Sequence, residues 1–241
     1  MILSINNLSI SYDNKLAIDD ISFEVDGGTA LGILGSNGAG KSSTLKVLAG
    51  VLSPTKGSIM VNGYSMTDFH EANEAKMITG YCPDVGGLIP QATLREHIDL
   101  TLSLHNRLDM WPAAMNLVRQ YDLENEMDVI VAGYSHGMSR RASVILATLS
   151  SSKLLILDEP FDGVDRLGTA SVTNTIARAR DAGLAVIVST HLQSLLAQAT
   201  DKIMVMSKGK ILTTEPSENF IGPEGEKHYE EILAQAGMVN D

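Results

Sequence analysis

Gly35-Ser36-Asn37-Gly38-Ala39-Gly40-Lys41-Ser42 sets glycines, a lysine and a hydroxyl in the spacing GxxxxGK[ST]. That spacing suits the binding of a triphosphate. Glycines let backbone N–H groups wrap phosphate oxygens, and a helix that starts at the loop adds positive potential from its N-terminus. Lys41 is long enough to reach the β and γ phosphates, Ser42 offers a hydroxyl to Mg²⁺, and Ser43 extends the same contact surface. The bland alternative is a glycine turn with a surface lysine. It does not account for the context, an apolar run from Ala30 to Leu34 before the loop and apolar residues at helical spacing from Lys41 to Ala49 after it.

A second group of chemistry-bearing residues closes another apolar run, Leu154-Leu-Ile-Leu-Asp158-Glu159. Ligands of open α/β sheets bind beyond the C-terminal ends of the strands, where these two carboxylates are expected. Asp158 is suited to the Mg²⁺ shell, and Glu159 to orienting a water and accepting its proton at the γ-phosphate. By themselves two acids after a strand are usually a solvated turn; the phosphate loop reverses that reading.

The order phosphate loop, then Tyr134-Ser135-His136-Gly137-Met138, then Leu154 to Glu159, then Thr190-His191 resembles the nucleotide-binding subunit of ATP-binding cassette (ABC) transporters over nearly the whole chain. The resemblance implies ATP as the nucleotide and two subunits packed head to tail, with each ATP between one phosphate loop and the other subunit's signature motif. Tyr134 to Met138 stands where the family usually has LSGGQ. On this resemblance Ser135 and Gly137 touch the γ-phosphate held opposite, His191 is the switch histidine that contacts the γ-phosphate and the attacking water, and Tyr12 stacks on adenine. Asp165 is the aspartate of the loop that reaches across the dimer.

Two positions depart from the family pattern. Gly80-Tyr-Cys-Pro-Asp84 ends in aspartate where CPQ or VPQ is usual, which keeps an oxygen for Mg²⁺ but loses an amide donor. His136 replaces the first glycine of LSGG, so its imidazole either turns away from the nucleotide or adds a titratable donor near the phosphates. The first of these orientations is the simpler expectation.

Positioning these residues requires an α/β fold, a P-loop NTPase core with a mixed sheet, an N-terminal antiparallel β subdomain and a helical insertion subdomain. Ile2 to Ile5, Leu8 to Tyr12 and Ala17 to Val25 alternate partially, with breaks at Asp13-Asn14 and Gly27-Gly28, and read as half-buried antiparallel strands. Gly57 to Gly63 and Met77 to Cys82 read as further strands, the second stopped by Pro83. From Thr93 to about Leu149 the apolar spacing is helical. Leu154 to Leu157 and Leu184 to Ser189 are continuous apolar runs on either side of a helical stretch, Leu167 to Arg180, as in parallel strands buried on both faces. Ile203 to Met206 and Lys210 to Thr213, joined by Ser207-Lys208-Gly209, form a hairpin. Residues 1–214 are thus expected to be one ATPase domain, core 1–83 and 153–214 and helical part 84–152, with 215–241 a short acidic tail.

Of 241 residues, 44% are hydrophobic and 20% charged, with a net charge of −11, which fits a packed core and excludes disorder. An acidic surface does not suit nucleic acid as a partner. A single cysteine, Cys82, excludes an internal disulfide framework; it reads as a small buried hydrophobe, and Trp111 as packing. No run of about 18 apolar residues occurs, so the chain is not expected to span a membrane. The family resemblance then implies an ATPase subunit at the cytoplasmic face of the cell membrane, paired with an identical or different ATPase subunit and energising a separate membrane permease. The segment Gly86 to Glu96 and the acidic tail most resemble exporter subunits. The alternative is a soluble or regulatory ATPase of the same class not coupled to transport; intact Glu159 and His191 argue against an inactive one.

Overall fold

The computed structural model describes residues 1–13 and 15–237; Asn14 of the expected first break and residues 238–241 of the tail lie outside it. In chain order, β1 (Leu3–Tyr12) and β2 (Lys15–Val25) are followed by β3 (Thr29–Leu34), α1 (Lys41–Leu48), β4 (Lys56–Val61), β5 (Tyr64–Ser65), α2 (Ala72–Met77), β6 (Thr79–Cys82), α3 (Leu94–Leu104), α4 (Trp111–Gln120), α5 (His136–Ser150), β7 (Leu154–Asp158), α6 (Arg166–Asp181), β8 (Ala185–Thr190), α7 (Gln193–Ala199), β9 (Lys202–Ser207), β10 (Lys210–Pro216) and α8 (Gly222–Gln235).

Alternating apolar residues at the start of the chain build an antiparallel sheet in the order β2-β1-β4-β5. The expected separate strands Ile2 to Ile5 and Leu8 to Tyr12 are one strand. Its pairing shifts between Ile5 and Leu8, where Asn7 takes φ 48°. The irregularity lets Ile5 and Leu8, an odd number of residues apart, both turn into the core, which a regular pleat forbids.

The second sheet runs β10-β9-β3-β8-β7-β6, with all neighbours parallel except the terminal hairpin pair β9 and β10. It is a mixed sheet between two cores. Along β7, Leu155 and Leu157 pack with the helices of one face, while Leu154 and Ile156 pack with α1 and the antiparallel sheet on the other. Burial on both faces is why these strands read as unbroken apolar runs.

The helices α3, α4 and α5 lie between β6 and β7 in sequence, as the helical spacing implied. Thr93 and Glu96 form a capping box at the start of α3, an arrangement that contributes about 1 kcal/mol to a helix. α5 runs back over β6, where Gly80 lies so close to the Ala147 carbonyl that a Cβ has no room. The expected strand from Met77 starts later, at Thr79, because Ala72–Met77 is helical; Ala, Glu and Lys are strong helix formers. In the acidic tail, Pro223 in the first turn of α8 and buried Phe220 just before it set a 14-residue helix.

Candidate functional site

Strands β3, β8 and β7 are neighbours and parallel, so whatever follows their C-terminal ends meets at one edge of the sheet. The phosphate loop follows β3, Asp158 and Glu159 close β7, and His191 follows β8. A cavity of about 930 Å³ opens there, lined by Ser36 to Ser43 together with Tyr12, Asp84, Glu159, Asp162 and His191.

The loop's geometry comes from its glycines. Gly38 and Gly40 have φ of 81° and 107°, a region that residues with a Cβ rarely adopt. Gly40 is also the N-cap of α1 and supplies no side-chain cap. The first N–H groups of the helix are therefore open to an anion. Lys41 is buried, and its Nζ donates to the Gly35 carbonyl at 2.8 Å and the Ser36 carbonyl at 3.4 Å, with Glu159 Oε1 at 3.8 Å.

Asp158 accepts at Oδ1 from Ser42 Oγ (3.2 Å) and Ser189 Oγ (2.6 Å), while its buried Oδ2 has no partner. Burial pushes its carboxyl above the usual range; the two serine bonds oppose this, and the charges of Asp84 and Glu159 add to it. A buried carboxylate with a free oxygen, beside a hydroxyl and other negative groups, suits a cation. Among the described residues no group of three or more His, Cys, Asp or Glu could hold a metal unaided. Mg²⁺ is commonly bound by one or two protein oxygens plus phosphates, and Ser42 and Asp158 supply two such oxygens.

Glu159 has φ 49°, a conformation that costs a non-glycine residue about 1 kcal/mol or more. Its N–H donates to the Ser189 carbonyl (3.0 Å) and Oγ (3.2 Å), which holds that backbone in place. Its Oε2 lies 3.2 Å from His191 Nδ1. The half-exposed imidazole and the mostly buried carboxylate meet at the cavity wall, a base beside a group able to orient it. Tyr12 is partly exposed at the end of β1, its hydroxyl 3.3 Å from Ser43 Oγ.

Ser135, His136, Gly137 and Met138 do not line this cavity. Ser135 caps α5, its Oγ accepting from the Met138 N–H at 3.2 Å, so this segment is a helix N-terminus beside the cavity wall but outside it. His136 Nε2 pairs with Asp162 Oδ2 at 2.9 Å, an intrachain partner that sequence reasoning did not identify. Asp165 caps α6 by accepting from the Gly168 N–H at 2.7 Å. Asp84 lines the cavity, but its Oδ1 accepts from Arg140 Nη2 at 3.1 Å. The expectation of a metal oxygen there meets a competing cation.

Three contributors went unnoticed in the sequence. Ser189 supports both acids, and its signal was a hydroxyl ending an otherwise apolar run. Arg140 and Lys208 gave none, since their importance depends on distant chain segments meeting. Lys208 reaches the cavity because the Gly209 N–H donates to the Ala39 carbonyl, drawing the hairpin turn onto the phosphate loop.

Known proteins resemble this chain over most of its length. A family model described as ABC transporter matches residues 18–162. The ABC-type transporter ATP-binding protein EcsA of Bacillus subtilis is 28% identical over 87% of this chain and 85% of its own length. The lipopolysaccharide export system ATP-binding protein LptB of Haemophilus influenzae is 27% identical over 92% and 94%. A solved ATP-binding subunit of an ABC transporter superposes with a TM-score of 0.85 at 25% identity, covering 100% of this chain and 95% of that one.

Proposed function

Because this chain belongs to the ABC transporter family and is an ATP-hydrolysing subunit of it, we propose that it works at the cytoplasmic face of a membrane and powers export through a separate permease. The observation that carries the ATPase part of this reading is the convergence of Lys41, Glu159 and His191 on one cavity beside Asp158. Export is favoured by the likeness to a lipopolysaccharide export system ATP-binding protein. Among the described residues no helix is long and apolar enough to cross a membrane.

In this reading residues 1–214 form one ATPase domain, with the helical part over 84–152. Gly35 to Ser43 bind the phosphates through backbone N–H groups and hydroxyls, and Tyr12 stacks on adenine. Lys41 exchanges its bonds to the Gly35 and Ser36 carbonyls for the β and γ phosphates, whose charge matches it better. Ser42 and Asp158 would hold Mg²⁺, which supplies charge neutralisation of the phosphates when bound. Asp84 Oδ1 is bonded to Arg140, so Oδ2 is the oxygen through which Asp84 would join that set. Glu159 takes the proton of a water aimed at the γ-phosphorus, and His191 holds the Glu159 carboxylate in line.

Ser135 and Gly137, at the head of α5, then bind the ATP of a second subunit packed head to tail. The absence of Ser135 to Met138 from this chain's own cavity wall supports a composite site of that kind. The second subunit is an identical copy or another ATPase subunit. Isolation of the chain from membranes, with identification of the membrane protein that accompanies it, tests the transport reading. Co-isolation of a permease that raises the ATPase rate supports it. A chain that leaves the membrane with no partner and whose ATPase rate is indifferent to membranes contradicts it.

A further inference from the structure

His136 and Arg140 stand four residues apart in α5, which places them one turn apart on one face of the helix. Each reaches an acid at the chain's own ATP cavity. His136 Nε2 is 2.9 Å from Asp162 Oδ2, in the loop after β7, and Arg140 Nη2 is 3.1 Å from Asp84 Oδ1, just after β6. Asp84 and Asp162 both line the cavity, so the head of α5 is joined to the two loops at the cavity mouth.

The Arg140 contact is buried on the arginine side, and the His136 contact is exposed. Arg140 is 4% exposed, and its guanidinium also donates to the Pro83, Asp84 and Asp158 carbonyls. It thereby pins the ends of β6 and β7 together. A buried guanidinium needs a counter-ion, and Asp84 is its salt-bridge partner among the described residues. A glutamine at 84 can accept a hydrogen bond but cannot neutralise that charge. At the other point the His136 ring lies over Gly163, and Gly137 faces the Gly163 carbonyl, with no room for a Cβ at either glycine. The two positions at which the chain departs from the family pattern, Asp84 and His136, therefore each supply one half of a polar contact, at opposite ends of the same joint.

We propose that His136 and Arg140 form a two-point clasp that orients Ser135 and Gly137 for the second subunit's ATP by tying α5 to the Asp84 and Asp162 loops of the chain's own cavity. Both are positioning residues. The clasp rests on the composite-site reading above, and it gives that site a property of its own, a direct mechanical link between the two ATP molecules that flank one chain.

ATP-driven dimerisation of the full chain in a Glu159→Gln background, followed by light scattering, tests it. His136→Asn and Asp162→Asn should each weaken the dimer about tenfold, and the double variant by about tenfold as well, not the hundredfold of independent contributions. Asp84→Asn should weaken the dimer similarly, and Asp84→Glu, which keeps a counter-ion, should recover most of the loss. If Asp84→Asn folds poorly, the His136 and Asp162 cycle stands alone. ATP affinity of the chain's own cavity is measured by calorimetry in a Ser135→Arg background. His136→Asn should change it less than about twofold, a split between two affinities that general loosening of the fold does not produce. Multiplying losses, or a dimer indifferent to these substitutions, overturn the clasp. A dimer that survives Ser135→Arg overturns the composite site itself, and the clasp's purpose with it.

Discussion

Glu159 and His191 arrive from the ends of two adjacent parallel strands and meet with Oε2 3.2 Å from Nδ1. The carboxylate is largely buried and the imidazole half-exposed, so the histidine limits the rotation of the acid without shielding it from the cavity. His191→Ala should therefore lower kcat by about tenfold to a hundredfold with a smaller change in KM, since it loosens the base and leaves the phosphate loop intact. Steady-state ATPase kinetics check this; a change confined to KM would remove His191 from the chemical step.

Lys41 is buried against the carbonyls of its own loop and the Glu159 carboxylate. Lys41→Ala should weaken ATP binding by about tenfold or more, because it deletes the charge that meets the phosphates. Calorimetric titration with ATP reads the effect directly. Equal affinities for the two proteins would rule out that role.

Asp158 has its carboxyl held above the usual range, first by burial. A carboxyl raised on folding contributes its stability when protonated, below the ordinary value of 3.8, and loses it as pH rises through the folded value. Above that folded value the free protein carries the cost of an ionised, half-satisfied carboxylate. Asp158→Asn should raise the unfolding temperature at pH 7 without Mg²⁺, with the gain fading as pH falls toward 4, and should abolish the extra stabilisation given by Mg²⁺ with ATP. Thermal unfolding across pH, with and without Mg²⁺ and ATP, gives both signs. A variant less stable than the parent at pH 7 would mean that the serine bonds outweigh burial.

Cys82 is fully buried at the end of β6. Burial pushes its thiol up to about 11, against the opposing charge and hydrogen bond of Arg140. The thiolate, the reactive form, is then about a hundredfold scarcer at pH 8 than for a thiol of ordinary value. Iodoacetamide at pH 8 should label the folded chain at least about a hundredfold more slowly than the chain unfolded in urea. Comparable rates would show that the strand end opens readily.

The chemistry was legible where one short segment carries it whole. The phosphate loop and Leu154 to Glu159 each combine a buried strand with the residues that follow it, and their positions in the mixed sheet follow from apolar runs too long and unbroken to alternate. What stayed hidden depends on residues far apart in the chain. Arg140 lies in a stretch of helical spacing that does not mark it, yet its guanidinium enters the sheet edge, where Pro83, Asp84 and Asp158 present their carbonyls. For His136 the sequence favours an orientation away from the nucleotide but does not name its partner, Asp162, which approaches because Gly137 and Gly163 leave the space. Asn6 and Asn7 read as a gap between strands, since a bulge and a break share the same residue types.

The proposed mechanism makes Glu159 the base, and Glu159→Gln isolates that role by keeping the shape and removing the charge. Single-turnover hydrolysis and ATP affinity measured on the same preparation should show hydrolysis reduced by about two orders of magnitude or more with binding retained. Hydrolysis near the parent rate, with ATP still bound, would contradict the assignment of Glu159 and the mechanism built on it.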